Sequence, residues 1–310
     1  MLDYFPHATV VEATPSDTSD IFPENPDIFF ETRYEQLNFS DVDIDTFGGM
    51  KLGDKAGNFY GVRRPDMPGV CLGTHLDTYI HTPNTDFFHG IQDQLLEFFN
   101  PDQLRDVIVK DSISYKGAST IREYQFPSIT KDIITHTNHT SSVMFRVIAW
   151  NCFDGSSKAR IMYGNIDTFC LNGLVSGDYE ANVGKRTSGF KLDGFLGRMT
   201  EGLQRFETET QLIQGYAESR VRLTSVEQFF EELGVTKQQT ERLNDQFIRE
   251  SYDRGLNLWS VVSALTYDSS NRTLNTTKHD HEGVTRIKDQ REVAKWLKSN
   301  AWSRLCEEAA

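Results

Sequence analysis

The spacing of apolar residues changes once along this chain, near residue 192, and this change constrains the fold more than any other feature. Before it, runs of β-branched and aromatic residues such as 121–126, 143–150 and 159–163 are separated by turn signals, as is typical of strands. After it, apolar residues recur every three or four positions up to Ile213, which predicts one long helix. The pattern predicts an α+β fold, in which an antiparallel, meander-like sheet packs against the long helix and a helical C-terminal cluster follows.

Local signals predict where individual elements begin and end. Asp154-Gly155 is a hairpin signal between two apolar strands, and Pro127-Ser128 is typical of a turn. Thr224-Ser-Val-Glu227 matches a capping box. Thr236 is the expected N-cap of the next helix, whose inward face should include Tyr252.

A further helix is expected at 84–99, where apolar residues share one helical face and Asn84 or the residue after it is the expected cap. The chain is therefore divided into three regions. Residues 1–45 are interpreted as an acidic, extended N-terminal arm, 46–220 as an α+β core domain and 221–310 as a helical C-terminal region.

The charge is concentrated in the first third of the chain. The protein has 32 Lys and Arg against 45 Asp and Glu, a formal net charge of −13. Residues 1–100 contain 5 of these basic residues and 17 of the acidic ones. Such acidity argues against strong, sequence-independent binding of duplex DNA, but it leaves room for a local basic groove. The acidic arm is interpreted as a solvated segment; the alternatives are that it mimics or competes with a polyanion, or that it prevents indiscriminate binding of nucleic acid.

Several common classes of protein do not fit this sequence. It has no apolar run of about 20 residues and no signal-peptide pattern at its start, so a soluble, cytoplasmic protein without a membrane partner is expected. The familiar dinucleotide, P-loop, zinc-protease and α/β-hydrolase motifs are absent, and no cofactor is expected. Four widely spaced cysteines predict free thiols and no disulfide.

Two histidine pairs and one group of carboxylates are the candidates for metal chemistry. His136 and His139, and His279 and His281, have no third ligand at a recognisable spacing, so they are interpreted as surface histidines and no metal site is expected. The carboxylates belong to Asp154, Asp167, Asp178 and Glu180. If they converged on metal ions they would support an enzyme, but Asp154 in a turn and Asp167 at a helix cap fit the sequence better.

Cations alternate with aromatic residues in the strand-rich region, in the combination that single-strand binders use for phosphates and stacked bases. Arg146 precedes Trp150, Arg160 precedes Tyr163, and the two would share one face of the sheet if their strands pair through the predicted hairpin. The opposing interpretation is that the rings fill the core and the cations face water. The candidate nucleic-acid-binding residues are Arg146, Lys158, Arg160, Lys185, Arg186, Lys191 and Arg198.

Two short segments, 150–157 and 167–174, carry a resemblance to a known family. They read WNCFDGSS and DTFCLNGL, and the first resembles an N-S-x-D-G-S-like turn of the phage/plasmid-like protein family, a domain of unknown function. A Trp…Ala-x-Thr helix at 259–266 is also similar, and the resemblance spans about 70–290. The matching residues are Asn151, Asp154, Gly155, Ser156, Cys170, Asn172, Gly173 and Leu174.

This resemblance implies a function only through a second, fold-level similarity. A strand-rich region followed by a long helix, in a phage or plasmid context, is similar to single-strand annealing recombination proteins. That similarity implies a homo-oligomer without catalytic residues, which binds single-stranded DNA or RNA in recombination or replication in the host cytoplasm. Two alternatives stay open: a metal-dependent enzyme acting on nucleic acid or nucleotides, and an acidic interaction protein that inhibits a host factor.

Overall fold

The computed structural model describes residues 21–37, 59–76, 79–155, 157, 159–167, 172–175, 195–271 and 282–309, with the backbone alone at 172–175, 195–197 and 282–283. Within these residues the chain forms two antiparallel sheets and eight α-helices. The strands are β1 (Arg33–Gln36), β2 (Phe59–Arg63), β3 (Cys71–Leu76), β4 (Ile108–Ser114), β5 (Ser119–Ile134), β6 (Thr140–Cys152), β7 (Arg160–Asp167) and β8 (Asn172–Val175). The helices are α1 (Asn84–Phe98), α2 (Pro101–Leu104), α3 (Phe195–Glu218), α4 (Leu223–Glu232), α5 (Lys237–Arg254), α6 (Leu258–Asn271), α7 (Glu282–Trp296) and α8 (Asn300–Glu308).

Each strand of both sheets pairs with its neighbour in sequence. The larger sheet has the order β4-β5-β6-β7-β8 and the smaller one the order β1-β2-β3, and every pairing is antiparallel. The α+β fold with a meander-like sheet, a long helix and a helical C-terminal cluster is therefore confirmed. The long helix is α3, whose 24 residues follow the change of apolar spacing.

Helices cover both faces of the five-stranded sheet. One face carries Tyr124, Phe145 and Tyr163, which join the main apolar core with residues of α1 and α3. The opposite face carries Ile148 and Met162, which pack with Val284 and Ile287 of α7. Because successive side chains of a strand point to opposite faces of the sheet, neighbouring residues of one strand pack against different helices.

The longest strand, β5, continues through Pro127-Ser128, where the sequence predicted a turn. Its pairing with β6 jumps from Phe126 to Thr130, so Pro127 lies in an irregularity inside the strand and not between two strands. Proline lacks the N–H that a regular ladder needs, and such an irregularity is where a sheet accepts it. The prediction of a turn at Pro127-Ser128 was therefore wrong.

The helix starts agree with the sequence in part. Thr236 is the N-cap of α5, with its hydroxyl accepting from the Gln239 amide, as predicted. The expected capping box at 224–227 is not formed, because α4 begins two residues earlier than a Thr224 cap would require and its N-cap is Arg222. Tyr252 was expected to face inward, yet it is 91 % exposed.

Part of the predicted N-terminal arm is built into the fold. Ile28 and Phe30 are buried, and β1 is a paired strand of the smaller sheet. Asn84, the expected cap of α1, is fully buried and bonds to the Ile28 carbonyl instead, while Pro83 occupies the cap position. The described part of the arm is therefore anchored by apolar packing and by this hydrogen bond.

Candidate functional site

The predicted hairpin between β6 and β7 is present, and it places two candidate cations on one face. Trp150 lies opposite Arg160 and Arg146 lies opposite Gly164, so Arg146, Trp150 and Arg160 share the face that α7 covers. Gly155 in the turn has a φ of 76°, a left-handed conformation that glycine adopts without strain.

The structure corrects the interpretation of Arg146 as a groove cation. Its side chain is almost completely buried, with 1 % of the residue exposed. Its Nη1 donates to the Glu123 carboxylate at 3.1 Å and its Nη2 donates to the side-chain Oε1 of Gln290 at 2.8 Å. Arg146 therefore joins the sheet to α7 and cannot contact a strand from solution.

The rings next to the predicted cations are also core residues. Trp150 and Tyr163 are 3 % and 2 % exposed, and the Trp150 indole donates to the Ser119 hydroxyl. Arg160 is half-buried with its guanidinium 5.6 Å from the Trp150 ring centre, and Arg198 in α3 is half-buried. The interpretation that these rings stack bases was wrong, because strand alternation points them at the helices.

The remaining candidates lie mostly outside the described residues. Asn172 and Gly173 lie in β8, of which only the backbone is described. The side chains outside the described residues are Lys158, Lys185, Arg186, Lys191, Ser156 and Cys170.

The motif residues that are described have structural contacts. Asn151 is fully buried and donates to the side-chain oxygen of Asn84 at 2.8 Å. Thr120 donates to the same oxygen at 3.0 Å, so two strands (β5 and β6) and one helix (α1) meet at one amide. Asp154, exposed in the turn, accepts from the Cys152 thiol at 2.8 Å. These contacts fix the hairpin against the start of α1.

Of the four carboxylates proposed for metal chemistry, the structure describes two, and these two do not converge on one site. Asp167 is buried and lies 2.7 Å from the Arg254 guanidinium, whereas Asp154 is exposed, and Asp178 and Glu180 are outside the described residues. Across the described ranges, no three His, Cys, Asp or Glu side chains are grouped so as to hold a metal ion. His136 and His139 lie at the turn between β5 and β6, and His279 and His281 are not described.

A cluster of cations surrounds the carboxylate that Arg146 contacts. Lys110 of the edge strand β4 lies directly opposite Glu123, and Arg286 lies one helical turn before Gln290 on α7. Burial raises the pKa of Glu123, but Arg146, Arg286 and Lys110 outweigh it and lower that pKa to about 2. Three positive groups therefore act on one buried negative group.

A second arrangement, which we call the ring array, consists of Tyr34, Tyr60, His75, Tyr79 and His81. Tyr60 of β2 lies opposite His75 of β3, and Tyr34 of β1 shares their face. Ring centres are 3.6 Å apart for His75 and Tyr79, 5.0 Å for Tyr34 and Tyr60, and 5.8 Å for Tyr34 and His81. These three pairs are stacked, with interplanar angles of 4°, 25° and 16°.

The ring array differs from the core rings in exposure and in its neighbours. All five of its residues are half-buried, whereas Trp150 and Tyr163 are buried. His81 Nε2 lies 2.9 Å from the Thr32 hydroxyl, and His75 Nε2 contacts the Phe153 carbonyl oxygen in the β6–β7 turn. A nitrogen facing a carbonyl donates, so this contact fixes the His75 tautomer.

A close backbone contact holds the smaller sheet against the hairpin. A Cβ on Gly73 would lie 1.9 Å from the Phe153 carbonyl oxygen, so only glycine fits there. The turn predicted from Asp154-Gly155 therefore supports the ring array.

Sequence reasoning did not single out the ring array. Its residues come from three strands and the segment before α1, and only His75, Tyr79 and His81 lie close together in sequence. The signal available was the density of Tyr and His at 75–81, in a stretch bounded by polar residues. The cation cluster was also missed, because Lys110, Glu123 and Arg286 are far apart in sequence.

A scan against protein-family models, a search of curated proteins and a search of solved structures found no match to this chain. The resemblance to the phage/plasmid-like protein family therefore stays a prediction. In the described part of the chain, no helix is both long and apolar enough to cross a bilayer.

Proposed function

We propose that this protein binds single-stranded nucleic acid by stacking unpaired bases on the ring array. The observation that carries the proposal is the set of five half-buried Tyr and His rings, three pairs of which are stacked. Single-strand binders use such rings because every base has a π-face, and each stacked base contributes about 1–3 kcal/mol. Annealing in recombination or replication, a homo-oligomer and a location in the host cytoplasm are finer parts of the same proposal.

The described charges around the ring array favour a binding mode that depends weakly on salt. Arg33 of β1 is paired with Glu31 at 3.0 Å, and it lies opposite Arg63 of β2 on the face away from Tyr34 and Tyr60. Arg64, the residue after β2, is paired with Asp66. Paired cations release few counterions on binding, so stacking and not charge should supply most of the affinity at this site. Each of Lys158, Lys185 and Arg186 that contacts a phosphate would add about 0.7 to the salt slope.

The experiment compares two tyrosine variants of the full chain. Tyr60→Leu removes a ring of the array, and we expect it to raise the Kd for a labelled single-stranded oligonucleotide by roughly 5- to 150-fold with little change in salt slope. Tyr252→Leu is the matched control, because Tyr252 is an exposed tyrosine on α5 outside the array. Fluorescence anisotropy across salt concentrations measures both.

Two outcomes contradict the proposal. One is that Tyr60→Leu and Tyr252→Leu change the Kd for the oligonucleotide equally. The other is a parent protein that does not bind the oligonucleotide. Circular dichroism and thermal melting of both variants show whether the substitution has altered the fold. The metal-dependent enzyme and the acidic interaction protein stay alternatives from the sequence, and no described contact favours either.

A further inference from the structure

The cation cluster lies where the edge of the five-stranded sheet meets α7. Lys110 is on β4, the edge strand, and directly opposite Glu123 on β5. Arg146 on β6 reaches both Glu123 and Gln290 of α7. Arg286 precedes Gln290 by four residues, so the two share one helical face. Three cations from two strands and a helix therefore surround one carboxylate.

The charges of this cluster do not balance. Ions in a protein interior are normally paired, because an uncompensated buried charge is costly. Here Glu123 is 3 % exposed and Arg146 is 1 % exposed, while Lys110 and Arg286 are half-buried. Of the four groups that act on one another here, three are positive and one is negative.

Unused hydrogen-bond donors accompany this cluster. Among the described residues, the Nε atom of half-buried Arg286 meets no acceptor, and neither does that of Arg146, which lies too deep to contact a ligand itself. Guanidinium groups are well suited to phosphate, because several N–H donors match its oxygens. A doubly charged phosphate interacts more strongly with several cations than a singly charged phosphodiester does.

We propose that Lys110 and Arg286, backed by Arg146, bind a phosphate dianion at the junction of β4 and α7. Free inorganic phosphate and the terminal phosphate of a nucleic-acid strand share this chemistry. The site uses no residue of the ring array, so phosphate binding can be tested independently of base stacking.

The test is calorimetric titration of the full chain with sodium phosphate near pH 7.5, against sodium chloride at matched ionic strength. We expect one saturable site for phosphate and none for chloride. Lys110→Gln and Arg286→Gln should each raise the phosphate Kd about tenfold or more, since a hydrogen bond to a charged group is lost. Arg286→Lys keeps the positive charge but loses the planar guanidinium that can donate two hydrogen bonds at once. It should therefore raise the phosphate Kd by an intermediate amount.

Lys288→Gln is the matched control, because Lys288 is exposed on the same helix and the substitution removes the same charge. It should leave the phosphate Kd unchanged. Absence of saturable phosphate binding to the parent up to about 10 mM would overturn the proposal. So would equal weakening by Lys288→Gln and Lys110→Gln, because binding would then follow net charge alone.

A second titration identifies the source of the phosphate. Oligonucleotides with a 5′-phosphate or a 5′-hydroxyl are compared on the parent and on Lys110→Gln. A preference for the 5′-phosphate that Lys110→Gln abolishes supports a strand terminus as the ligand. Saturable phosphate binding without such a preference supports the free anion.

Discussion

Arg254 of α5 lies 2.7 Å from Asp167 of β7, and both side chains are almost completely buried. The same guanidinium donates to the Ser263 hydroxyl, which in turn donates to Glu250. These contacts tie α5 and α6 to the five-stranded sheet across the boundary predicted between residues 220 and 221. The helical C-terminal region is therefore joined to the sheet by charge as well as by apolar packing.

Removing one member of this pair should destabilise the whole fold. Arg254→Met leaves Asp167 and Glu250 buried without their cation, so we expect the free energy of unfolding to fall by about 3–5 kcal/mol. Arg33→Met, in the exposed pair with Glu31, should change it by no more than about 1 kcal/mol. Urea unfolding measures both, and similar losses for the two variants would contradict this account.

The buried Glu123 carboxylate should give the protein a defined acid sensitivity. Its pKa in the folded state, about 2, lies below the ordinary value of 4.5. A lowered folded-state pKa stabilises the fold above the ordinary value, and that stability is lost as the pH falls from 4.5 towards about 2. We expect the free energy of unfolding in urea to fall over this window.

Glu123→Gln tests the origin of that acid sensitivity. It should cost about 3 kcal/mol at neutral pH, because Arg146 loses its buried partner. It should also flatten the pH dependence between 4.5 and about 2. Glu227→Gln, an exposed change on α4, is the control and should leave the pH profile as it is in the parent. An unchanged profile in Glu123→Gln would show that other carboxylates cause the acid sensitivity.

The contact between Gly73 and the hairpin should tolerate no side chain. We expect Gly73→Ala to cost about 1–3 kcal/mol, because its Cβ would overlap the Phe153 carbonyl and push the turn away from β3. Gly215→Ala is the control, since an exposed helical glycine with open space around it should gain up to about 1 kcal/mol as alanine. Thermal melting should show shifts of opposite sign, and a stable Gly73→Ala protein would refute the close contact.

Two threonines distinguish a real helix cap from an apparent one. Thr236→Ala removes the side chain that accepts from the Gln239 amide, so we expect a loss of about 1 kcal/mol. Thr224→Ala should cost less than about 0.5 kcal/mol, because Arg222 and not Thr224 occupies the cap position of α4. Equal losses in urea unfolding would show that the sequence motif was interpreted correctly after all.

The sequence predicts elements well where a pattern is local and repeated. The change of apolar spacing located α3, and Asp154-Gly155 located the turn between β6 and β7, because both depend on neighbouring residues. Pro127 was misread because a sheet irregularity and a turn place similar demands on the backbone. Tyr252 was misread because helical spacing alone does not show which face meets the core.

The site residues were harder to predict, because long-range partners decide their roles. In the sequence, Arg146 is the type of residue that lines a surface groove and Asp167 the type that acts as a catalytic carboxylate. In the structure, each is buried with an ion-pair partner. Those partners, Glu123 and Arg254, lie 23 and 87 residues away in the chain. The ring array likewise exists only once β1, β2 and β3 are paired.

The most direct test of the central claim compares two labelled single strands of equal length, one with bases and one abasic. Both carry the same phosphates, so any difference in affinity for the parent protein reports on the bases. We predict that the abasic strand binds at least about tenfold more weakly in fluorescence anisotropy, because it offers no ring for the array to stack. Equal binding of the two strands, or no binding of the strand with bases, would contradict base stacking as the function of this protein.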